Sequence, residues 1–382
     1  FEAEQVEEYV QALLAELEHL EQQGVFAKQK LEAVFFGGGT PSVLSPQQIN
    51  AILQKIHSVA KLTEDCELTF ESSIYDLDAD KLNACLDGGI NRFSFGVQSF
   101  DTQLRRSLGR LNAKEEVTAK LEEVAAKDVK VIIDLIYGLN GQTTELLLED
   151  IRTALACGVS GMDLYKLQIM PKSPLGQAIA KGNISYAYND RMLAEMFIAA
   201  DTLLAEQGAK ALSCCHWAMR EDERSHYNTL VKSGAHVIAC GTACGGHLGL
   251  YKYMKTMDRA DYVKKSHAGQ YAVMGMGRLS EQYHLLDKLS GQCDAGCLDF
   301  ASLQRYSDAD WQQLLKPLLE QWELLGLLYS MDGQYHFTAK GKYYYRQLDR
   351  VLLTAAEYAL YGKPGLMEQA GQKMMGLMKN MK

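Results

Sequence analysis

Apolar residues at Val6, Val10, Leu13, Leu14, Leu17 and Leu20 recur at helical spacing with Glu and Gln between them. The spacing predicts an amphipathic helix that ends near Gly24. Short apolar runs follow at 31–36, 67–70, 92–97, 130–136 and 162–169, separated by helical patterns that include 45–59, 79–86 and 144–156. The runs have the length of buried strands. The first of these helices opens on Ser45-Pro46, a start signal because proline at the first helical position gives up no hydrogen bond. Strands alternating with helices predict parallel βαβ units. The expected fold class is therefore α/β, arranged as a partial (β/α)6, TIM-like barrel. Five strands are visible, and a sixth fits in a segment ahead of Phe1, which already lies in helical pattern. Barrels of this kind present their chemistry at the C-terminal ends of the strands.

The rhythm changes near Ile184. One helix is expected at 190–207, then an apolar, cysteine-containing stretch at 211–217 and a glycine-rich loop at 241–249. An amphipathic helix at 308–325 leads into a run that turns at Asp332-Gly333, and a last helix spans 341–361. Asp-Gly between apolar runs is a hairpin signal, and helix, hairpin and helix together resemble a winged-helix module. Three regions follow: a barrel at 1–183, a substrate-covering region at 184–298 and the winged-helix-like module with its tail at 299–382. In the tail Met367, Met374, Met375, Met378 and Met381 offer an adaptable apolar face, for which ordinary core packing is the expected use.

Composition narrows the function classes. With 39 basic and 48 acidic residues the net charge is −9, and 47% of the chain is hydrophobic. That composition excludes a disordered or coiled-coil protein and supplies no electrostatic reason for nucleic-acid binding. The winged-helix-like module then reads as a cover for substrate. No apolar run reaches the ~18–20 residues of a membrane span, so no membrane insertion is expected. Nine scattered cysteines match no secreted disulfide scaffold and point to a reducing, cytoplasmic compartment.

The strand ends carry the candidate chemistry. The first strand runs into Gly37-Gly38-Gly39-Thr40-Pro41, where glycines let the backbone approach a ligand. The next three strand ends present Glu71, Gln98 and Asp134. One such polar residue is ordinarily just solvated; a succession of them suggests a ligand.

Gly37–Pro41, Asn91–Asp101 (NRFSFGVQSFD), Leu108-Gly109-Arg110 and Asp134–Thr143 (DLIYGLNGQT) resemble, in this order, the coproporphyrinogen dehydrogenase-like branch of the radical S-adenosylmethionine (SAM) enzymes. Asn140 departs from the proline usual in that branch. The resemblance implies a barrel that binds S-adenosylmethionine on a 4Fe-4S cluster. Position by position, it implies that Gly37, Gly38, Gly39 and Thr40 receive the methionyl amino group and that Glu71 complements its charge. Arg110 would pair with the methionyl carboxylate, Gln98 and Asp134 would lie on the ribose side, and Gln168, on the last strand, would lie on the adenine side. These pairings suit the ligand, since Arg grips a carboxylate bidentately and carboxylates complement an ammonium and a diol. The family's CxxxCxxC cluster motif is expected before residue 1. Cys240-x3-Cys244-x2-His247 imitates its spacing, and Cys293 and Cys297 form a second pair. Both are read as structural, with a second metal site as the alternative.

Within the branch, Leu212–Arg220 (LSCCHWAMR) resembles the heme-utilisation (HutW/ChuW) group of anaerobilin synthases. That group implies oxygen-independent heme degradation, in which radical methyl transfer opens the porphyrin to a linear tetrapyrrole and releases iron. The alternatives are a heme chaperone and an oxygen-independent coproporphyrinogen dehydrogenase. His216 is the candidate catalytic residue, facing heme as axial ligand or acting in proton transfer; a packed structural histidine is the other reading. His226, His236 and His247 stand second. The implied partners are heme, an electron donor of flavodoxin or reductase type, and a heme or product carrier.

Overall fold

The computed structural model describes residues 2–362, and the methionine-rich tail expectation lies outside them. The chain divides into two compact units: one of residues 33–46 and 67–225, the other of residues 1–32, 47–66 and 226–382. This division cuts the chain at other points than the sequence-derived regions, and it groups the N-terminal helix with the C-terminal half.

The first unit is built on a seven-stranded sheet ordered β1-β2-β3-β4-β5-β7-β6. Its strands are β1 (Leu31–Phe36), β2 (Leu62–Ser72), β3 (Arg92–Gln98), β4 (Lys130–Tyr137), β5 (Gly161–Lys166), β6 (Lys210–Ala211) and β7 (His216–Ala218). The pairs β2–β3, β3–β4 and β4–β5 are parallel, as the alternation of strand and helix predicts. Helices at Ala79–Asp87, Thr144–Ala156 and Asp190–Glu206 start on Asp78, Thr143 and Asn189, whose side chains accept a backbone N–H of the first turn. One face of the sheet is aromatic and aliphatic: Phe93, Phe95, Val97, Val131, Ile133 and Leu135 have no solvent exposure. On the other face the side chains turn polar.

Two expectations are corrected here. The cysteine-containing stretch at 211–217 ends in a strand, β7, that pairs antiparallel with β5, so the sheet does not stop at its fifth strand. Strand β5 itself ends at Lys166, opposite the last residue of β4, and the Leu167 N–H makes the final backbone hydrogen bond, to the Tyr137 carbonyl at 2.9 Å.

The other unit holds the amphipathic helix Ala3–Gln22, which packs on Arg259–His267 around Ala12, Tyr262, Val263 and Ala272. A buried Glu16 on that helix accepts hydrogen bonds from Lys255 Nζ, Tyr262 Oη and Gly241 N–H. It therefore ties the glycine-rich 241–249 segment to the N-terminal helix. Part of that segment is a strand, β8 (Gly245–Leu248), which pairs with β9 (Tyr251–Lys255), and β9 with β10 (Val273–Arg278). Beyond it, β11 (Cys297–Leu298), β12 (Leu328–Met331) and β13 (Gln334–Phe337) form a small sheet beside helices Trp311–Leu324 and Tyr345–Tyr361. The β12–β13 hairpin turns at Asp332 and Gly333, both with positive φ (51° and 78°), the conformation that an Asp-Gly type I′ turn requires.

Candidate functional site: the polar face of the parallel sheet

Register builds the site. Gly96, Asp134, Asp163 and His216 are consecutive partners across β3, β4, β5 and β7, so they form one row on one face of the sheet. Gly96 contributes no side chain to that row, and a Cβ there would lie 2.9 Å from Gln98 Nε2 and 3.5 Å from Arg110 Nη2. The missing Cβ is what lets Gln98 and Arg110 fold in beside Asp134.

Gln98 is itself unusual. It has a left-handed φ of 66° at a slip in the β3–β4 register, and its Oε1 is buried without a hydrogen-bond partner. A strained backbone and an orphaned buried oxygen each cost on the order of 1–3 kcal/mol, and a ligand that donates to Oε1 would recover part of that cost. The loop leading from Gln98 to Arg110 is braced from below. Arg105, 1% exposed, donates Nη1 to the carbonyls of Val97 and Ser99 and Nε to that of Asn112. Asp150 accepts the Phe100 N–H at 2.8 Å.

At the end of β2, Glu71 Oε2 accepts the Gly38 N–H at 3.2 Å. A Cβ on Gly37 would come 2.6 Å from the same oxygen, so glycine at 37 is required for the loop to close over the carboxylate. Burial raises the Glu71 pKa against the opposing pull of the Gly38 N–H and Arg92. Burial also lowers that of Arg110, which Asp134 partly offsets. Asp134 is pushed up to about 7, by burial first and then by the charges of Asp163 and Glu71, against Arg92 and His216.

A chain of buried charges continues from this row through Asp163 and His216. Arg92 and Glu67 are each 3% exposed and Glu223 2%. The Arg92 guanidinium meets Glu223 at 3.2 and 3.3 Å and Glu67 at 3.8 Å. Glu223 also accepts the Ser225 N–H at 2.8 Å. His216 is 3% exposed, with Nδ1 3.2 Å from Asp163 and Nε2 3.3 Å from Glu223, neither aligned as a linear hydrogen bond. Gly161 makes room for this chain, since a Cβ there would lie 3.3 Å from Glu223 Cγ and 3.0 Å from the Trp217 carbonyl.

The candidate residues thus separate into three groups. Glu71, Gln98, Arg110 and Asp134 share one polar face, and the exposed Gly37–Gly38–Gly39–Thr40 loop is tied to it through Glu71. Gln168 lies two residues past the end of β5 rather than on it, is exposed, and turns its amide toward the Lys166 carbonyl at 3.4 Å. His216 belongs to the buried charge chain. The sequence expectation is that it faces heme as an axial ligand or acts in proton transfer; in the fold its two ring nitrogens lie beside the carboxylates of Asp163 and Glu223. In the other unit, Cys244 Sγ faces the Cys240 carbonyl at 3.3 Å and Cys293 Sγ the Tyr345 carbonyl at 3.6 Å. His247 packs its ring on those of His236, His284 and Tyr283. Among the described residues no group of three His, Cys, Asp or Glu side chains is arranged to hold a metal ion.

Sequence reasoning missed Glu67, Arg92, Asp163, Glu223, Arg105 and Asp150. A signal existed for three of them: Glu67, Arg92 and Asp163 are charges inside runs that otherwise read as buried strand, where an unpaired charge is almost never found.

Taken together, the face offers carboxylates, a carboxamide, a guanidinium and open backbone N–H groups, a set suited to a ligand that carries an ammonium, a carboxylate and a diol. Residues 6–154 match the model of the Radical SAM superfamily. The chain is 29% identical over 338 residues to anaerobilin synthase of Escherichia coli O157:H7, covering 88% of this chain and 75% of that protein. It is 29% identical over 252 residues to the heme chaperone HemW of Bacillus subtilis, of whose length it spans 65%. The solved structure of coproporphyrinogen III oxidase (HemN) from Escherichia coli superposes with a TM-score of 0.77 at 20% identity, over 92% of this chain and 85% of that one. Residues 6–154 thus carry a radical S-adenosylmethionine domain, a class whose cofactors are S-adenosylmethionine and a 4Fe-4S cluster. Within that class the likenesses, to anaerobilin synthase, HemW and HemN, are to proteins of the HemN-like branch. The polar face fits S-adenosylmethionine on the orphaned, buried Gln98 oxygen, an acceptor with no donor of its own. The described residues supply no ligand set for the cluster.

Proposed function

We propose that this protein degrades heme without oxygen, using S-adenosylmethionine to methylate and open the porphyrin and so release iron from a linear tetrapyrrole. The observation that carries the reading is the extent of the likeness to anaerobilin synthase. It extends over 338 residues, 88% of the chain, whereas the likeness to HemW extends over 252 residues, 65% of the chain.

In this reading the Gly37–Thr40 loop and Glu71 take the methionyl ammonium, Arg110 the methionyl carboxylate, and Gln98 and Asp134 the ribose hydroxyls. Gln168 lies at the rim near the adenine. Bound S-adenosylmethionine supplies the carbon-radical chemistry; the chain's own residues orient it and keep water from the reacting carbon. Binding geometry is set by groups that are already fixed, since Glu71 is held by the Gly38 N–H and Arg110 sits at the end of the loop braced by Arg105. Among the described residues no helix is long and apolar enough to cross a membrane.

Anaerobic incubation of the reconstituted protein with heme, S-adenosylmethionine and a flavodoxin-type reductant tests the reading by product mass. A methylated linear tetrapyrrole is expected. Heme bound and recovered intact would replace this reading with a chaperone, and carbon dioxide released from coproporphyrinogen would replace it with a decarboxylating dehydrogenase.

A further inference from the structure

The buried charge chain has more carboxylates than the site needs to hold a ligand. Glu67, Glu71, Asp134, Asp163 and Glu223 face three cationic groups at most: Arg92, Arg110 and His216. Among these cations His216 is the one whose charge is open, and its surroundings decide it. A neutral imidazole carries one N–H and one bare lone pair. Here the two nitrogens lie 3.2 and 3.3 Å from oxygens of two different carboxylates. Neither contact is a linear hydrogen bond, so charge decides: an imidazolium at these distances is attracted to both carboxylates whatever the angle, and a neutral ring is not. Glu223 is further held ionised by the Arg92 guanidinium and the Ser225 N–H.

The row of register partners places this ring one strand beyond Asp163 and two beyond Asp134. The groups that face Asp134 are Glu71 from β2, Arg92 from β3, Asp163 and Tyr165 from β5, His216 from β7 and Arg110 from the loop after β3. Three of the ionisable neighbours are acids, counting the phenol, so the cations decide whether Asp134 is a carboxylate.

We propose that His216 is a positioning residue: an imidazolium clamped between Asp163 and Glu223, whose charge keeps Asp134 ionised toward the bound ligand. It touches neither substrate nor iron and acts through Asp163 and Asp134. The consequence for the ligand rests on the placement of S-adenosylmethionine given above; the charge of the ring does not.

Two measurements on the full-length, anaerobically reconstituted protein test this. In the first, histidine labelled with 15N in the imidazole is observed at pH 8, with the His216 signals assigned by their loss in His216→Gln. Both nitrogens are expected at imidazolium shifts, consistent with a pKa raised to about 9 by Asp163 and Glu223 against the effect of burial. A neutral ring at pH 8 would overturn the proposal. In the second, S-adenosylhomocysteine is titrated from pH 6 to 9. Its affinity is expected to strengthen through a midpoint near the Asp134 value of about 7. In His216→Gln that midpoint should move alkaline by about one pH unit, as loss of a nearby cation predicts. A weakened but unmoved midpoint would show a merely structural histidine and would also overturn the proposal. Asp134→Asn separates the parent reading, because wild-type affinity in that variant would remove Asp134 from the ligand while leaving the labelled-imidazole result to decide the state of His216.

Discussion

Glu223 is the joint of the buried charge chain, and removing it should unfold the sheet-bearing unit more readily than any exposed change. In Glu223→Ala the Arg92 guanidinium and the His216 ring, both 3% exposed, lose their shared partner, and the Ser225 N–H loses its acceptor. Breaking a buried ion pair by deleting one member costs about 3–5 kcal/mol. With a urea slope of ~2–3 kcal/mol/M for a unit of this size, the midpoint should fall by about 1–2 M. Trp217 makes the measurement local. It is 1% exposed beside His216, and Trp311 and Trp322 lie in the other unit. In a Trp311→Phe, Trp322→Phe background its fluorescence follows the sheet alone. The pair can be isolated by a cycle with Arg92→Met, whose double variant should lose less than the sum of the singles, because the second change removes a charge already stranded by the first. A Glu223→Ala midpoint within ~0.3 M of wild type, or strictly additive losses, would refute the reasoning that these charges hold one another.

The same chain sets a pH signature. His216 has a folded pKa raised from 6.5 to about 9, so its stabilising contribution is complete below ~6.5 and fades as pH rises through about 9. Glu223 is lowered instead, by His216 and Arg92 against burial, so its contribution is present above its ordinary value of 4.5 and fades in acid; urea midpoints of the Trp217 reporter from pH 5 to 9.5 should decline on the alkaline side, and Glu223→Gln should flatten that decline. Arg110→Lys keeps the charge and removes the bidentate grip, and should weaken S-adenosylhomocysteine binding by ~1.5–3 kcal/mol in calorimetry with no change in folding; wild-type affinity would remove Arg110 from the carboxylate. Gly96→Ala should weaken the same binding about tenfold by displacing Gln98 and Arg110, since hydrogen bonds to charged groups are worth ~1.5–3 kcal/mol; unchanged affinity would show that the side chains have room to move. Gly341→Ala would set a Cβ inside the contact distance of the Leu327 carbonyl, and a scan of the intact protein should show the unit that carries it melting several degrees earlier, as overpacking costs about 1–3 kcal/mol.

Much of the sheet was legible along the chain because a buried parallel strand leaves an apolar run and a crossover helix leaves a period of 3.6. The runs at 31–36, 92–97 and 130–136 all became strands, and Thr144–Ala156 became the helix its pattern described. The ends were less legible. Strand β5 stops at Lys166, opposite the last residue of β4, and no residue in 162–169 announces that. β7 is short, and its antiparallel partnership with β5 is decided by the assembled sheet rather than by Ala211–Trp217.

The site divides the same way. Glycines before a strand-end acid, and Glu71, Gln98 and Asp134 in the C-terminal halves of successive strands with Arg110 in the loop after β3, were readable because barrel topology alone sends strand ends to one side. Which of them would meet, and in what charge state, was decided only by register and burial. The slip at Gly96 brings Gln98 and Arg110 to Asp134, and low-dielectric surroundings make every neighbouring charge count. His216 shows the limit most clearly. From the chain it was a histidine beside a tryptophan with a heme-facing role in prospect; in the fold it is a ring between two carboxylates, contributed by strand β5 and by the loop that carries Glu223. Local sequence determined the elements and their facing sides, because those depend on period and turn chemistry. Partners for buried charges come from residues as distant as Arg92 and Glu223, and only the assembled sheet could choose them.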